Sequence, residues 1–454
     1  MKRNEIQAVM EKATKIHFVG IGGISMSSLA AITLTRGYAV SGSDRTPSGL
    51  TARLAEQGAE VHDTHEAAWV TGASLVVYTA AVHEDNPELS EALRLGIPLC
   101  SRADYLGWLM SDYRERIGVA GTHGKSTVTS MLAEIYLAGD FNPTVVSGAE
   151  LRDMGGAYRI GGEAYFLFEA CEYCDSFLSF CPTTAVITNI DYDHADYFKT
   201  MEQLIGSFHR YAEIADRAVL NFDDPESVQL AQRYRGEVIS YALEADADYT
   251  ARNMEWVNGC ATFDLVRKGS VLCRVTLAVP GKHNVLDALA AAAAALTCGA
   301  TPEAVAKGLA LFGGAKRRFE YMGKTVKGAL VYNDYAHHPA ELRATLSAAK
   351  AVGKRLVAVF QPHTYSRTAA LFDEFAAAFG DADEVIFADI YAAREENIYG
   401  VTSALLAEKT PRAVCLGDRE TIAAHLLATT RENDLVLILG AGDIIKLGNM
   451  LLSD

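Results

Sequence analysis

The chain has no apolar run long enough to cross a membrane. Its longest, the alanine-rich stretch from Ala288 to Cys298, falls well short of the roughly 20 residues that a spanning helix needs. The segment Met1 to Lys15 is charged and has no apolar centre, so no secretory signal is expected. Basic residues are in deficit: 41 Lys and Arg against 57 Asp and Glu leave a formal charge of −16. That balance argues against nucleic acid or an anionic membrane surface as a non-specific partner. It also means that an anionic substrate must be met by a local basic pocket. The eight cysteines are scattered, which fits reduced thiols in a cytoplasmic protein. Cys171, Cys174 and Cys181 form the only cluster, with no fourth ligand at finger-like spacing. They read as small residues lining a core rather than as a metal site. There is no short-period repeat, and no low-complexity tract apart from the alanine-rich segment.

What is present is the composition of an ordinary globular protein, 50% hydrophobic and 22% charged over 454 residues. At about 150 residues per domain, about three domains are expected. Short apolar strands alternate with helix-patterned segments, which implies parallel sheets covered by helices. In the first third, the expected strands are Lys15 to Val19, Tyr38 to Ser43 and Leu75 to Tyr78, with a helix from Ser25 to Arg36. The middle third offers strands at Arg116 to Ala120, Tyr165 to Glu169 and Ala185 to Thr188. Hairpin material follows from Thr262 to Val279, then a buried helix from His283 to Thr297. The last third offers strands at Leu330 to Tyr332, Arg355 to Phe360, Glu384 to Ala388 and Leu435 to Leu439. The polar stretches Ser111 to Arg116 and Gly313 to Arg318 read as a linker and a hinge. The expected boundaries are residues 1–114, 115–316 and 317–454.

The most informative stretch is Gly121-Thr122-His123-Gly124-Lys125-Ser126-Thr127, between an apolar strand and a helix-patterned segment, Lys125 to Ala138. Glycines let backbone N–H groups approach phosphate oxygens, the helix N-terminus adds partial positive charge, and the lysine adds a full one. A hydroxyl directly after the lysine is placed to hold Mg²⁺. The strict pattern wants a glycine where Val119 stands, so this is a shorter variant of the phosphate loop. The chain is therefore expected to handle a nucleoside triphosphate.

Near the N-terminus, Gly20-x-Gly22-x-x-Ser25 lacks the third glycine of the dinucleotide fingerprint, and Asp44 follows the second strand. This pattern fits a bound nucleotide diphosphate, either a dinucleotide or a nucleotide sugar. Two middle strands run into Glu169-Ala170-Cys171-Glu172 and into Asn189-Ile190-Asp191-Tyr192-Asp193-His194. Carboxylates and a histidine at strand ends beside a phosphate loop suit a Mg²⁺–nucleotide site, although helix-capping acids would also account for Asp191 or Asp193. In the last third, His337-His338-Pro339 and Gln361-Pro362-His363-Thr364-Tyr365-Ser366-Arg367 each follow a strand. The paired histidines could ligate a metal or serve as hydrogen-bonding loop residues.

Taken together, these motifs resemble the Mur ligases, the ATP-dependent amide-forming enzymes of peptidoglycan precursor synthesis. The resemblance covers nearly the whole chain. It rests on the Gly20 turn, Gly42-Ser43-Asp44, the phosphate loop, Glu169 with the Asp-Ser-Phe that follows, Asp193-His194, Gly281-Lys282-His283-Asn284, Arg317-Arg318-Phe319, Asp334-Tyr335-Ala336-His337-His338-Pro339 and the segment from Gln361 to Arg367. It implies a three-domain α/β fold: a Rossmann-like N-terminal domain, a central P-loop ATPase-type domain with a mainly parallel sheet, and a Rossmann-like C-terminal domain. His123, the His-His-Pro and the Gln-Pro-His segment are similar to the branch that joins L-alanine to UDP-N-acetylmuramate. Other branches carry a lysine about where His209 stands here. Attachment of a recycled murein peptide to the same sugar nucleotide is the alternative within the family. A dinucleotide-dependent oxidoreductase is the alternative outside it, and Ser25 in place of the third glycine counts against that.

By the same resemblance, Lys125, Glu169 and His194 are the catalytic candidates, and Ser126, Glu169 and His194 the metal ligands. ATP falls to Gly121, Thr122, His123, Gly124, Lys125, Ser126, Thr127, His283, Asn284, Arg318 and Asp334, with Arg317 as the other arginine. Gly22, Gly23, Asp44, Thr79 and Ala80 are assigned to the UDP-sugar, and His363, Tyr365 and Arg367 to the amino acid. Three departures from the family pattern are Ser126 for the usual threonine, Asp287 where asparagine is common, and Cys171-Glu172-Tyr173-Cys174 for a more acidic run.

Overall fold

The computed structural model describes all residues except 80, 84, 152–155, 195–196, 353–354 and 453–454, and the backbone alone at 149–151. Ala80 therefore lies outside the described residues. Three sheets follow one another along the chain. The first contains β1 (Lys15–Val19), β2 (Ala39–Ser43), β3 (Glu60–His62), β4 (Leu75–Tyr78) and β5 (Leu99–Ser101), in the order β3-β2-β1-β4-β5. All its pairings are parallel. Its strand order reverses between β1 and β4, so the Gly20–Gly23 turn and Thr79 face one crevice at the strands' carboxyl ends. Open α/β sheets bind their ligands at such switch points.

The second sheet holds ten strands: β6 (Glu115–Ala120), β7 (Thr144–Leu151), β8 (Gly156–Arg159), β9 (Tyr165–Glu169), β10 (Thr184–Ile187), β11 (Arg217–Asn221), β12 (Glu237–Ala242), β13 (Tyr249–Val257), β14 (Cys260–Arg267) and β15 (Ser270–Pro280). Its centre, β10-β6-β9, is parallel, and β13-β14-β15 closes one edge as an antiparallel meander. The third sheet runs β16-β17-β21-β18-β19-β20. These strands are β16 (Glu320–Lys324), β17 (Leu330–Asp334), β18 (Arg355–Phe360), β19 (Glu384–Ala388), β20 (Ala413–Gly417) and β21 (Asp434–Leu439). Only β16 is antiparallel to its neighbour. Among the described residues, no helix is long and apolar enough to cross a membrane.

Two helices decide where the phosphate loop sits. Lys125–Ala138 follows β6 directly, and Lys282–Thr297 packs beside it with Ala288 to Ala295 all buried. Small side chains let the two helices approach closely, which is the use of the alanine-rich run. The cysteines are all free. Cys181 is a core residue as expected, but Cys174 is exposed, with a left-handed backbone at φ 54°. That part of the expectation was wrong, because the segment forms a tight turn rather than a core-facing strand.

The expected linker at Ser111 to Arg116 is also shorter than foreseen. Met110–Asp112 is one 3-10 turn, and Glu115 already lies in β6. A single apolar core crosses this point: Phe18, Leu29 and Tyr105 on the first side join Phe166, Phe177 and Phe208 on the second. The third sheet has cores of its own, one on each face. The joint near Gly313 to Arg318 is therefore the one that no common apolar core spans. Gly107 marks the tight seam between the first two sheets, since a Cβ there would overlap the Ser179 carbonyl. Replacing Gly107 by valine should cost about 1–3 kcal/mol by overpacking. It should lower the thermal midpoint by about 2–4 °C for each kcal/mol lost. An unchanged midpoint in differential scanning fluorimetry would show that the seam is loose.

Candidate active site

The phosphate loop is held by the end of β10. Thr122 N–H donates to the Asn189 carbonyl at 3.1 Å, and His123 N–H donates to Asn189 Oδ1 at 3.0 Å. Thr188 Oγ1 donates to the His123 carbonyl at 2.5 Å. Gly124 caps the following helix at φ 83°, and Gly121 sits at φ 136°, where a Cβ would meet Thr188. Both positions need glycine, for conformation and for space. These hydrogen bonds and the two glycines fix the loop's shape.

Lys125 is bent back onto this loop. Its Nζ donates to the Gly121 carbonyl at 2.5 Å, to the Thr122 carbonyl at 3.0 Å and to Glu172 Oε1 at 3.3 Å. Burial alone would lower the ammonium's pKa, but Glu172, with help from Cys171 and Glu169, holds it above the ordinary lysine value. Burial would likewise raise the Glu172 carboxyl, and Lys125 with His194 brings it below the usual range. Glu172 is 1% exposed, and its Oε2 has no hydrogen-bond partner although Lys125 Nζ lies 3.2 Å away. Ser126 Oγ donates to Glu169 Oε2 at 2.8 Å, and His194 Nε2 lies 3.5 Å from Glu172 Oε1.

The structure thus pairs Ser126 with Glu169 and sets Lys125 and His194 on either oxygen of Glu172, a residue that sequence reasoning passed over. Only the fold shows that the carboxylate three residues beyond Glu169 turns back into the site. Oxygen donors, an imidazole and an orphaned buried carboxylate oxygen are the donor set a hard divalent cation takes.

A cavity of about 210 Å³ opens beside the loop, lined by His123, Gly124, Thr127, His283, Asn284, Asp287, Arg318 and Asp334 among others. The ATP candidates His283, Asn284, Arg318 and Asp334 all lie here. Arg318 lines it and Arg317 does not; Arg317 donates instead to the Gly440 and Gly442 carbonyls at 2.9 and 3.2 Å. The Asp334 carboxylate accepts from Phe319 N–H, Ala336 N–H and Thr345 Oγ1, which fixes the cavity wall. Arg318 Nη1 donates to Glu341 Oε1 at 3.2 Å.

His123 lies between Glu341 at 3.3 Å and Asp191 at 3.5 Å. Burial would lower its pKa, but the two carboxylates raise it to about 9. His338 is the second of the paired histidines. Its Nδ1 accepts weakly from Ala340 N–H at 3.4 Å as a helix cap, while His337 Nδ1 donates to the Tyr335 carbonyl at 3.0 Å. Each histidine of the pair makes a local hydrogen bond through Nδ1. Ligand atoms of His123, Asp191 and His338 nevertheless lie within 4.8 Å of one another.

A second cavity, of about 390 Å³, lies between the second and third sheets, lined by Tyr173, Asp193, His194, His363 and Arg367. Arg367 grips Asp193 with Nε and Nη2 on Oδ1 at 3.0 and 2.9 Å, and Nη2 reaches Oδ2 at 3.2 Å. Burial would raise the Asp193 carboxyl, but Arg367 holds it well below the usual range. Tyr365 does not line this cavity, contrary to expectation; it opens the helix Tyr365–Ala370, and Ser366 lines the cavity instead.

A third cavity lies at the switch point of the first sheet, with Gly20, Gly23, Asp44 and Thr79 in its wall. Gly22 is covered rather than open. Its N–H donates to Asp44 Oδ2 at 2.9 Å, and Thr46 N–H donates to Oδ1 at 3.0 Å. Asp44 therefore shapes the turn while remaining part of the cavity wall.

Three sheets, each presenting the carboxyl ends of its strands to a common centre, and a phosphate loop with a buried lysine define an α/β nucleotide-dependent enzyme. The family models agree: "Mur ligase family, catalytic domain" matches residues 15–114, "Mur ligase middle domain" residues 119–295, and "Mur ligase, glutamate ligase domain" residues 317–442. The chain belongs to the Mur ligase family. It is 43% identical over 98% of its length to the UDP-N-acetylmuramate–L-alanine ligase of Clostridium beijerinckii, of which it covers 98%. It is 42% identical, with the same coverage of both chains, to the enzyme of that name from Caldanaerobacter subterraneus. The crystal structure of UDP-N-acetylmuramate–alanine ligase from Thermotoga maritima is similar at a TM-score of 0.80 and 29% identity, over 96% of this chain and 98% of that one.

Asp287 generates a pH prediction. It stands beside the loop, close enough that a Cβ on Gly124 would touch its Oδ1, and burial raises its carboxyl from 3.8 to about 7. Between these values the folded state holds a proton that the unfolded state has lost, so this group's contribution to stability falls as pH rises through that window. Above pH 7 it also places negative charge beside the nucleotide. D287N should be more stable than wild type at pH 8 and should weaken less in nucleotide affinity from pH 6 to 8. Calorimetric titrations of both proteins check this, since the nucleotide's own titration cancels in the comparison. Parallel pH profiles would contradict it.

Proposed function

We propose that the protein joins L-alanine to the carboxylate of UDP-N-acetylmuramate, with ATP split to ADP and phosphate, in peptidoglycan precursor synthesis. One observation carries this reading: Lys125 of the phosphate loop pairs with Glu172, and Glu172 pairs with His194, which lines the Arg367 cavity. The relatives' names supply the substrates. Three working units, residues 1–114, 115–316 and 317–454, fit the three sheets. Use of ATP and of a water-soluble sugar nucleotide fits a cytoplasmic site of action.

A carboxylate does not accept an amine directly, because its oxygen is a poor leaving group. Transfer of the γ-phosphoryl group solves this: a carboxylate oxygen bonds to phosphorus, the bond to the β-phosphate oxygen breaks, and ADP leaves. The free amine of L-alanine then attacks the carbonyl carbon, inorganic phosphate leaves, and the nitrogen loses a proton. Negative charge spreads over the transferred group during the first step. Lys125 is the loop's cation, and the N-terminus of the helix that it opens adds partial positive charge. Ser126 would hold one Mg²⁺ and Glu169 with His194 a second, with Glu172 beside His194 as a further candidate ligand; the metal supplies further charge neutralisation when bound. Arg367 suits the carboxylate of L-alanine, because its guanidinium already grips a carboxylate, that of Asp193, in a forked arrangement. His363 lines the same cavity and would orient the amine. The uridine end rests on the first sheet, which leaves the lactyl carboxylate free to reach the loop.

Phosphate release should require all three substrates and fall to background when any one is omitted. Lys125→Ala should lower turnover by about a hundredfold or more while far-UV circular dichroism stays unchanged. Release of phosphate without the sugar nucleotide, or near-normal turnover by the variant, would count against the reading.

A further inference from the structure

The cavity at the switch point of the first sheet has one lining residue from the far end of the chain. Arg394, in the loop after β19, lines it alongside Gly23, Arg45 and Thr79. The same residue lines the Arg367 cavity, and it is the one lining residue that the two cavities share. The C-terminal sheet thus reaches across the molecule to the amino-terminal crevice.

The loop is built firmly enough to hold it there. Thr364 N–H donates to the Tyr391 carbonyl, and Tyr391 N–H to the Pro362 carbonyl, both at 2.9 Å. Ser366 donates to Glu395 from its N–H at 2.8 Å and from its hydroxyl at 2.5 Å. Ala393 adopts φ 53°, a left-handed turn directly before Arg394. Arg394 itself is exposed.

The crevice needs cations. The chain carries a net charge of −16, and a sugar nucleotide brings a diphosphate. Asp44 is tied to backbone N–H groups, and His65 is held by Glu88 at 2.7 Å and by Ser43 at 2.8 Å. Among the described lining residues, Arg45 and Arg394 are the two guanidinium groups. A guanidinium matches a phosphate's paired oxygens.

We propose that Arg394 binds the diphosphate of the sugar nucleotide, so that the C-terminal sheet contributes directly to the sugar-nucleotide site. The proposal rests on the ligase reading above. The test uses the full-length chain as wild type, Arg394→Ala and Arg394→Lys, in steady-state assays with each substrate varied in turn. Arg394→Ala should raise KM for UDP-N-acetylmuramate about tenfold, the usual worth of one hydrogen bond to a charged group. KM for ATP and for L-alanine should hardly move. Arg394→Lys should recover part of the loss. Wild-type KM for the sugar nucleotide should also climb more steeply with salt than that of the alanine variant, because the contact is exposed and ionic. An unchanged KM for the sugar nucleotide, or a shift confined to L-alanine, would overturn the assignment of Arg394 while wild-type turnover leaves the ligase reading standing. Wild type without turnover would overturn the ligase reading, and Arg394's role with it.

Discussion

A lysine buried in a loop of its own carbonyls is the constraint on which this molecule turns. Lys125 must keep its charge in a site sheltered from water, and Glu172 is the counter-ion that lets it do so. Taking either charge out of water costs several kcal/mol, and removing one partner leaves the other uncompensated, so the pair stands or falls together. Glu172 in turn holds its position through the turn after β9, which puts Cys174 and Asp175 in left-handed backbone. The exposed Cys174 belongs to the same turn, and His194 Nε2 lies 3.5 Å from the same carboxylate.

The second organising fact is that no single sheet holds the reaction. The first two sheets are welded by a common apolar core, and the third stands on cores of its own. Polar contacts join the third sheet to the centre: Arg367 to Asp193, His123 to Glu341, and His338 near Asp191. Such contacts can open and re-form at far lower cost than an apolar core. An acyl phosphate is lost to water unless the site shuts around it, so a movable third unit against a rigid pair suits the chemistry.

Much of the fold was legible because hydrophobic strands bounded by glycine leave a strong local pattern. Lys15–Val19, Leu75–Tyr78, Tyr165–Glu169, Arg355–Phe360, Glu384–Ala388 and the helix Lys125–Ala138 have the bounds read from the sequence. The strands Arg217–Asn221 and Glu237–Ala242 went unread; their place is set by pairing with β10 and with each other. Strands β7 and β8 were also missed, since β7 runs through Ser147-Gly148-Ala149-Glu150 with little apolar alternation. At the site, the nucleotide candidates converge because motif residues sit at strand ends. Glu172, Asp193 as partner of Arg367, and the structural role of Asp44 depend on how separate segments fold back on each other. No spacing within the chain encodes that.

In the proposed reaction the sugar nucleotide's carboxylate is phosphorylated before the amine arrives. Carboxylate oxygens labelled with heavy oxygen test it directly, with the released inorganic phosphate analysed by mass spectrometry after one turnover. If an acyl phosphate forms beside Lys125, one labelled oxygen must leave with the phosphate. Phosphate carrying no label, with ligated product still formed, would contradict the mechanism and require the carboxylate to be activated in another way.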